Sequence, residues 1–493
     1  MPTTRRLYPV KLFARELRPG RHALVSFVVI VFCMCFPLSA TSSEKPNVLI
    51  IMVDNLGWGE LGVYGGGLLR GVDTPRLDKF ASEGTRLLNF NVETQCTPTR
   101  SALMTGRHPI RSGTTRVVFG KHYGLVRWEV TLAELLSAHG YATGMFGKWH
   151  LGDSPGRFPT DQGFDTWYGI ANTTDEAEYS SQYQFDENAG KTGWIYESQK
   201  DQRPQPKLKY DLDTRRSIDA ELTRKSINFM REQAKRNKPF FAYVPLTQPH
   251  MPTIPHKDFI GKTGNGDYAD VVAEIDHRSG QMLDAIDELG IRDNTIVIWL
   301  SDNGPEGTPG YHGTAGFWRG HYFTALEGSL RVPFMIRWPG RVPENRVSNE
   351  VVHVVDILPT LGSMLGFRTP QDRQIDGLDQ QEFFLGSKKK SAREGFPVYN
   401  GQQMFAYKWR NWKIHFVELD NMFGEVKRLN VPRLYNLITD PKEEYDMLTE
   451  AEWVWPVFSQ RIGAFKKSLE TEIPIASGTP DPYIPEKRNK RKR

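Results

Sequence analysis

Two apolar stretches far apart in the chain end in the same pair of polar residues. The stretch 47–53 ends in Asp54-Asn55, and the stretch 295–300 is followed closely by Asp302-Asn303. Continuous runs of branched apolar residues are typical of strands buried on both faces of a parallel sheet. Ligands of open α/β sheets bind at the carboxyl ends of such strands. One Asp-Asn pair could merely cap a turn, but two predict a polar site at this edge of a sheet.

Helical and strand patterns alternate along most of the chain. Further strands are predicted at 142–146, 239–246 and 331–336, and helices at 74–84, 131–139, 219–237, 268–289 and 353–365. The alternation predicts an α/β fold, in which a mixed, mostly parallel sheet is flanked by helices. The segment 171–210 shows no clear periodicity, and it contains several aromatic residues. We expect it to form an irregular, substrate-facing loop region.

The last quarter of the chain has a different pattern. Residues 386–391 are the best candidate linker. Beyond them, 404–407 and 412–417 alternate like antiparallel strands, a short strand is predicted at 434–437, and a helix at 451–469. We therefore expect a catalytic domain over 41–386 and a smaller C-terminal antiparallel-sheet subdomain over 392–480.

The formal charge of +5 is carried by the first 40 residues, which hold six cations and one acidic residue. These cations precede the apolar run 23–36 and small residues at Ser39 and Ala40, the pattern of a secretory signal peptide. We therefore predict export to the periplasm or the medium; an uncleaved membrane anchor is the alternative. A basic tail, 481–493, ends the chain. The body between is acidic on balance, which argues against a nucleic-acid partner.

The chain has three cysteines, and two of them, Cys33 and Cys35, lie inside the predicted leader. A mature chain would keep Cys96 alone, so it could form no internal disulfide. Cys96 follows an extended segment and precedes Pro98, which suits the first turn of a helix. Cys96 is therefore predicted at a helix N-terminus, where backbone N–H groups and the dipole favour anions. Arg100 adds a cation one turn further on.

Three motifs resemble those of the formylglycine-dependent type I sulfatases, which are arylsulfatase-like members of the alkaline phosphatase superfamily. The first is the segment 96–107, which begins Cys96-Thr97-Pro98-Thr99-Arg100 and ends in Thr-Gly-Arg. The second is 147–152, which contains Lys148 and His150, and the third is Gln248-Pro249-His250. The resemblance covers nearly all of the predicted mature chain and implies the alkaline-phosphatase-like fold.

The resemblance implies a sulfuric ester hydrolase in which Cys96 is oxidised to formylglycine, whose hydrate is the nucleophile. A formylglycine-generating enzyme or an anaerobic sulfatase-maturating enzyme would then be a partner. By the same resemblance Arg100 and Lys148 orient the hydrate and the sulfate, His150 assists elimination, and His250 protonates the leaving oxygen. The alternation of Lys148 and His150 predicts that both side chains leave the strand on one side.

Asp54, Asn55, Asp302 and Asn303, together with the modified Cys96, are the predicted metal ligands. Carboxylate and amide oxygens suit Ca²⁺ or Mg²⁺ rather than zinc, and the resemblance favours Ca²⁺. Many sulfatases have a second Asp where this chain has Asn55, so the site has one negative charge fewer.

A second departure concerns the lysine that sulfatases usually place five residues before a Glu-Gly pair. Counting back from Glu327 puts Tyr322 at that position. A phenol donates one hydrogen bond but brings no charge. We expect Tyr322 to contact the sulfate, and His321 or Arg319 could supply the missing charge. The alternative is that the loop has shifted and Tyr322 merely packs.

The predicted substrate is a sulfate monoester, either a sulfated small molecule such as an aryl sulfate or a sulfated glycan. Two alternatives remain open from the sequence. A phosphomonoester or phosphonate-ester hydrolase of the same superfamily would share the nucleophile, fold and metal. A non-catalytic protein that binds sulfated glycans would bind without turnover, and the retained Cys96, Arg100, Lys148 and His150 argue against it.

Overall fold

The structure is a computed structural model, which describes residues 45–118, 124–190 and 192–480. The predicted signal peptide, 1–40, and the basic tail, 481–493, lie outside these ranges. Within them, no helix is long and apolar enough to cross a bilayer.

Sixteen strands and eleven α-helices are found in the described ranges. The strands are β1 (Asn47–Asp54), β2 (Thr85–Leu87), β3 (Phe90–Asn91), β4 (Ala142–Phe146), β5 (Thr166–Ile170), β6 (Gly193–Gln199), β7 (Gln205–Tyr210), β8 (Phe240–Pro249), β9 (Thr295–Ser301), β10 (Phe334–Arg337), β11 (Arg346–Ser348), β12 (Val352–His353), β13 (Gly395–Asn400), β14 (Gln403–Trp409), β15 (Trp412–Glu418) and β16 (Lys427–Asn436). The helices are α1 (Gly66–Arg70), α2 (Pro75–Ser82), α3 (Cys96–Thr105), α4 (Pro109–Ser112), α5 (Leu132–Ala138), α6 (Leu212–Lys235), α7 (Asp267–Glu288), α8 (Glu327–Leu330), α9 (Ile357–Leu365), α10 (Gln381–Phe384) and α11 (Trp455–Thr471).

Ten strands form one sheet in the order β11-β2-β10-β9-β1-β8-β4-β5-β6-β7. The five central strands, from β9 to β5, run parallel, and antiparallel strands flank them on both sides. Strands β1 and β9 are direct neighbours, with Val53 opposite Ser301. The two Asp-Asn pairs therefore leave adjacent strands at the same edge, which confirms the predicted fold class and explains the repeated sequence pattern.

Strand β1 is buried on both faces because helices cover both sides of the sheet. Val48, Ile50 and Met52 pack into one apolar core with residues of α3, α5 and α9. The alternate residues Leu49 and Ile51 pack into a second core with α2, α6 and α7. Burial on both faces accounts for the continuous apolar run, since no residue of the strand faces water.

A second, four-stranded antiparallel sheet, β13-β14-β15-β16, forms the predicted C-terminal element. One face packs against α11 through Phe458. The other face packs on Ala325, Leu330 of α8 and Val351 in a separate apolar cluster. The Glu327 carboxylate of α8 also accepts hydrogen bonds from Lys408 (2.6 Å) and Lys413 (3.1 Å), all three fully buried. Buried ion pairs thus join the small sheet to the large one.

Two segments of the structure differ most from the sequence predictions. The segment 171–210 is not wholly irregular, because it contains the antiparallel strands β6 and β7. These strands lie at the edge of the sheet, and most of β7 is exposed, so no apolar periodicity marks them. Helix α6 begins at Leu212 instead of 219, with Asp211 as its N-cap. Its first turn is largely polar, which hid the helical pattern in the sequence.

Candidate active site

Cys96 is the first residue of α3 and is 1% exposed. Its sulfur lies 3.7 Å from Oδ1 of Asp54 and 3.6 Å from Oδ1 of Asn55. Burial raises the pKa of the Cys96 thiol well above its usual value, and the neighbouring Lys148 opposes this only in part. The predicted helix N-terminus is confirmed, and it places Cys96 against the carboxyl end of β1.

The two Asp-Asn pairs meet beside Cys96. The backbone N–H of Asn55 donates to Oδ1 of Asp302 at 3.0 Å, and Nδ2 of Asn303 donates to Oδ1 of Asn55 at 2.6 Å. All four side chains are fully buried. Asn55 has a φ of 64°, a left-handed conformation that Asn tolerates better than most residues. The chain therefore turns sharply after β1 and brings the pairs together.

The donors gathered at this edge fit a hard cation. They are mostly carboxylate and amide oxygens, which Ca²⁺ and Mg²⁺ prefer. Oδ1 of Asn303 is buried without a hydrogen-bond partner in the described part of the chain. Donor atoms of Asp54, Cys96 and His250 also lie within 4.8 Å of one another. A buried amide oxygen without a partner is costly, and a bound cation would satisfy it.

Two buried cations hold the acidic residues of the site. Nζ of Lys148 donates to Oδ2 of Asp54 at 2.8 Å. Arg100 donates from Nε (3.1 Å) and Nη2 (2.8 Å) to Oδ2 of Asp302, and from Nη1 to the carbonyl of Lys148 at 2.6 Å. Burial opposes ionisation of Asp54, but Lys148, His250 and Arg100 outweigh it and hold its pKa well below the usual value. Asp54 is therefore a permanent anion at neutral pH.

Two histidines complete the inner wall. Both ring nitrogens of His150 are buried without a hydrogen-bond partner among the described residues, and burial holds its pKa well below the usual value. Nδ1 of His250 lies 2.7 Å from the carbonyl of Met251, which leaves Nε2 for a ligand. A neutral His150 with two free nitrogens is suited to accept or donate a proton.

Lys148 and His150 both reach the site, but not for the reason that the sequence indicated. Strand β4 ends at Phe146, so the two residues lie beyond it. His150 has a φ of 59°, and its carbonyl accepts a hydrogen bond from Thr97 of α3 at 2.8 Å. A left-handed turn, and not strand alternation, thus directs the imidazole.

Of the three candidates for the missing lysine, Tyr322 lies on the side of Cys96. Its hydroxyl is hydrogen-bonded to Glu306, and burial together with the charges of Glu306 and Cys96 raises its pKa far above the usual value. His321 packs near His312 instead, with ring centroids 6.1 Å apart. Arg319 donates to the carbonyl of Glu443 and so faces the C-terminal sheet.

Two residues of the site were missed in the sequence. Thr174 donates from its hydroxyl to Oδ2 of Asp54 at 2.9 Å, and it lies in a segment without periodicity that gave no signal. Glu306 accepts from Nδ2 of Asn55 at 3.1 Å and is fully buried. Its position only three residues after Asn303 was a signal that sequence reasoning could have used.

Comparison with known proteins identifies the family. The family model described as Sulfatase matches residues 46–367. This chain belongs to the sulfatase family. The model described as N-sulphoglucosamine sulphohydrolase, C-terminal, matches residues 318–455 of the same chain. The sulfatase is thus matched across both of its sheets, and the alkaline-phosphatase-like fold expected from the three motifs is confirmed.

Named relatives support an enzyme of the sulfuric ester hydrolase class. The sulfatase is 32% identical to N-acetylgalactosamine-6-sulfatase of Canis lupus familiaris, over 79% of this chain and 75% of the relative. It is 30% identical to human Arylsulfatase D, over 92% of this chain and 91% of the relative. The crystal structure of PsFucS1 sulfatase from Pseudoalteromonas sp. superposes with a TM-score of 0.82 at 29% identity, covering 88% of this chain and 92% of that one.

Proposed function

We propose that this sulfatase hydrolyses aryl or carbohydrate sulfate monoesters with a nucleophile made from Cys96. One observation carries the proposal: the Cys96 sulfur lies less than 4 Å from the Asp54 and Asn55 oxygens at the buried start of a helix. Backbone N–H groups, a cation site and the nucleophile are therefore directed at one point. Such an arrangement binds and activates a tetrahedral oxyanion.

We propose that Cys96 is converted to formylglycine by a formylglycine-generating or anaerobic sulfatase-maturating enzyme. The hydrated aldehyde then supplies the attacking oxygen. The side chain points into a fully polar, buried site that already offers oxygen acceptors, so two hydroxyl groups in place of one thiol would find partners there. An ordinary buried cysteine is instead surrounded by apolar side chains.

Asp54, Asn55, Asp302 and Asn303 would hold Ca²⁺, with Mg²⁺ as the alternative. The ion supplies positive charge that binds sulfate oxygens and offsets the negative charge that develops on them. Lys148 keeps Asp54 ionised and fixed in place, and Arg100 fixes Asp302. Both cations therefore contact the metal ligands before substrate binds, and their contacts with the sulfate would be added when it binds.

Proton transfer is assigned to the two histidines. The hydrogen-bonded Nδ1 of His250 leaves Nε2 to protonate the leaving oxygen of the ester. His150, whose two ring nitrogens have no hydrogen-bond partner in the described ranges, assists the step in which sulfate is expelled. Tyr322 would stand where other sulfatases place a lysine, with its hydroxyl turning from Glu306 to the sulfate when substrate binds.

The proposal extends to where the enzyme works. We propose that residues 1–40 direct export, that 41–386 form the catalytic domain, that 392–480 form the C-terminal subdomain, and that 481–493 form a solvated tail. The sulfated substrate is then an extracellular or periplasmic compound. A nucleic-acid partner is not part of this proposal.

The test uses protein that has been co-expressed with a formylglycine-generating enzyme. It compares the hydrolysis of three esters of the same phenol. We expect turnover of 4-nitrophenyl sulfate to exceed that of the matching phosphate and phenylphosphonate esters. Cys96→Ala should abolish all three activities without loss of folding, because a small side chain fits the first position of a helix. A preference for the phosphonate or phosphate would favour the related hydrolases, and binding of sulfated glycans without any turnover would favour the non-catalytic alternative.

A further inference from the structure

A second pocket, of about 1140 Å³, lies between the C-terminal sheet and α11. Ligand pockets in proteins usually measure about 300–1,000 Å³, so this one is large enough for more than a single small ring. Its walls include Asn400 at the end of β13, Arg428 of β16, and Trp455 and Lys466 of α11. We call it the basic pocket.

The basic pocket carries unpaired positive charge. Arg116, Arg428 and Lys466 line it, no acidic residue described lines it, and none of the three forms an ion pair with the described residues. Other arginines on the same two elements are paired: Arg433 of β16 with Glu418, and Arg461 of α11 with Glu394. The arginines of these two elements that lie away from the pocket are thus paired, whereas Arg428 in the pocket wall is not, and unpaired cations in a pocket favour an anionic ligand.

The remaining lining residues combine amides and aromatic rings with the apolar side chains of Met404, Phe405, Phe416, Val426 and Ile462. Asn400, Gln402 and Gln403 bring amide groups that both donate and accept hydrogen bonds. Trp455 is 44% exposed at the rim, and Tyr399 lies further in. Aromatic faces combined with amides and cations fit a sulfated sugar better than a purely apolar ligand. A half-open pocket also differs from the extended basic stripe that nucleic acids require.

The basic pocket is joined to the nucleophile by a short chain of hydrogen bonds. Gln95, the residue before Cys96, donates from Nε2 to Oδ1 of Asn400 at 2.8 Å. Its Oε1 accepts from the backbone N–H of Val117 at 3.0 Å, next to Arg116. The side chain of Gln95, which immediately precedes the nucleophile, thus forms hydrogen bonds with two walls of the basic pocket.

We propose that the basic pocket binds a second anionic sugar residue of a sulfated oligosaccharide while another residue presents its sulfate ester at Cys96. This inference rests on the proposed function and narrows it to oligosaccharides. Gln95 holds Asn400 in place, so the two sites keep a fixed separation. The pocket cations then select substrates that carry more than one negative charge.

The test uses two charge-matched double variants of the matured enzyme. Arg428→Gln with Lys466→Gln removes two pocket cations, whereas Lys427→Gln with Lys467→Gln removes two exposed cations next to them on the same elements. The probes are sulfated tetrasaccharides from chondroitin 6-sulfate, fucan and carrageenan, the sulfated monosaccharide of each, and 4-nitrophenyl sulfate. The readout is the ratio of kcat/KM for the best tetrasaccharide to kcat/KM for 4-nitrophenyl sulfate, so differences in folded or matured fraction cancel.

We expect the pocket variant to lower this ratio about tenfold, mainly through KM, as for the loss of charge-assisted contacts. The control variant should leave the ratio unchanged. Equal ratios in the wild type and the pocket variant, or an equal loss in the control, would overturn the inference and leave the proposed function standing. A wild type that prefers every monosaccharide to its tetrasaccharide would do the same. Failure to hydrolyse any sulfate ester would overturn both.

Discussion

The side-chain amide of Asn55 donates a 3.1 Å hydrogen bond to Oε2 of Glu306, a fully buried carboxylate. Glu306 forms no ion pair with the described residues, and its remaining contacts are hydroxyl and backbone groups, among them Thr308 at 2.7 Å. Many sulfatases have an aspartate at position 55. The carboxyl group that this site lacks at position 55 is therefore present one side chain further out, at Glu306, where it holds the Asn55 amide with its oxygen toward Cys96.

Moving the carboxyl group from position 306 to position 55 tests this relationship. Asn55→Asp alone would face Glu306 with a second carboxylate and lose the hydrogen bond, and we expect a loss of about 2 kcal/mol of unfolding free energy in chelator. Added Ca²⁺ should recover most of it, because the new carboxylate faces the cation site. The double variant Asn55→Asp with Glu306→Gln restores one donor and one acceptor, and it should regain stability even in chelator.

Thermal unfolding with and without Ca²⁺ measures both effects. Glu306→Gln alone is the control, since it keeps Asn55 and removes only the outer charge. If Asn55→Asp is as stable as the wild type in chelator, the pair carries no charge relationship. Restoration of the stability by Zn²⁺ but not by Ca²⁺ would contradict the oxygen-ligand argument.

The assignment of Tyr322 in place of the usual lysine predicts different effects for two adjacent residues. Tyr322→Phe removes one hydroxyl that is bonded to Glu306. We expect the transition state to lose about 1 kcal/mol of stabilisation, so that kcat/KM falls roughly fivefold. His321→Ala, which changes a side chain packed near His312, should behave as the wild type. The reverse result, with a crippled His321→Ala and an unaffected Tyr322→Phe, would show that His321 contacts the sulfate.

The role of His250 predicts a dependence on the leaving group. A nitrophenolate leaves without a proton, whereas a sugar alkoxide must be protonated. His250→Ala should therefore lower kcat on a sugar sulfate by about 10²- to 10³-fold and on 4-nitrophenyl sulfate by much less. His256→Ala, a partly exposed histidine in the following loop, is the control. Equal losses on both substrates would assign His250 to positioning instead of proton donation.

Much of the fold was predictable because the central strands are buried on both faces. Strands β1, β8 and β9 contain continuous apolar runs, and the sequence indicated each of them, together with the shorter strand β4. The edge strands β6 and β7 were not predicted, because their exposed side chains carry no apolar pattern. An element whose stability comes from backbone pairing at a sheet edge leaves little trace in side-chain chemistry.

The site was predictable where its residues follow a strand or begin a helix, as Asp54, Asp302 and Cys96 do. Contacts from residues that carry no such local pattern were not predictable. Thr174 reaches Asp54 from 120 positions away in the chain, and nothing in its own neighbourhood indicates this. The direction of the His150 ring likewise depends on a left-handed turn that is visible only in the backbone.

A buried carboxyl group in α7 predicts how stability varies with pH. Burial raises the pKa of Glu274 in α7 to about 7, although the backbone of His256 and the guanidinium of Arg278 oppose this. The unfolded chain ionises near 4.5, so between these values the folded state binds more protons. Stability from this group is present at low pH and is lost as pH rises through about 7.

Glu274→Gln cannot ionise and should escape that loss. We expect its unfolding free energy, relative to the wild type, to increase by up to about 3 kcal/mol between about pH 5 and pH 8. Glu288→Gln, on an exposed position of the same helix, should differ from the wild type by the same amount at both pH values. Chemical denaturation at the two pH values checks this, and a difference independent of pH for Glu274→Gln would contradict it.

The central claim is that the nucleophile is made from Cys96, and peptide mass spectrometry tests it most directly. The tryptic peptide 87–100 of active enzyme should be lighter than its encoded mass by the replacement of CH₂SH with CHO, and the converted fraction should scale with sulfatase activity across preparations. Full activity on a sulfate ester with an intact Cys96 thiol would contradict the account.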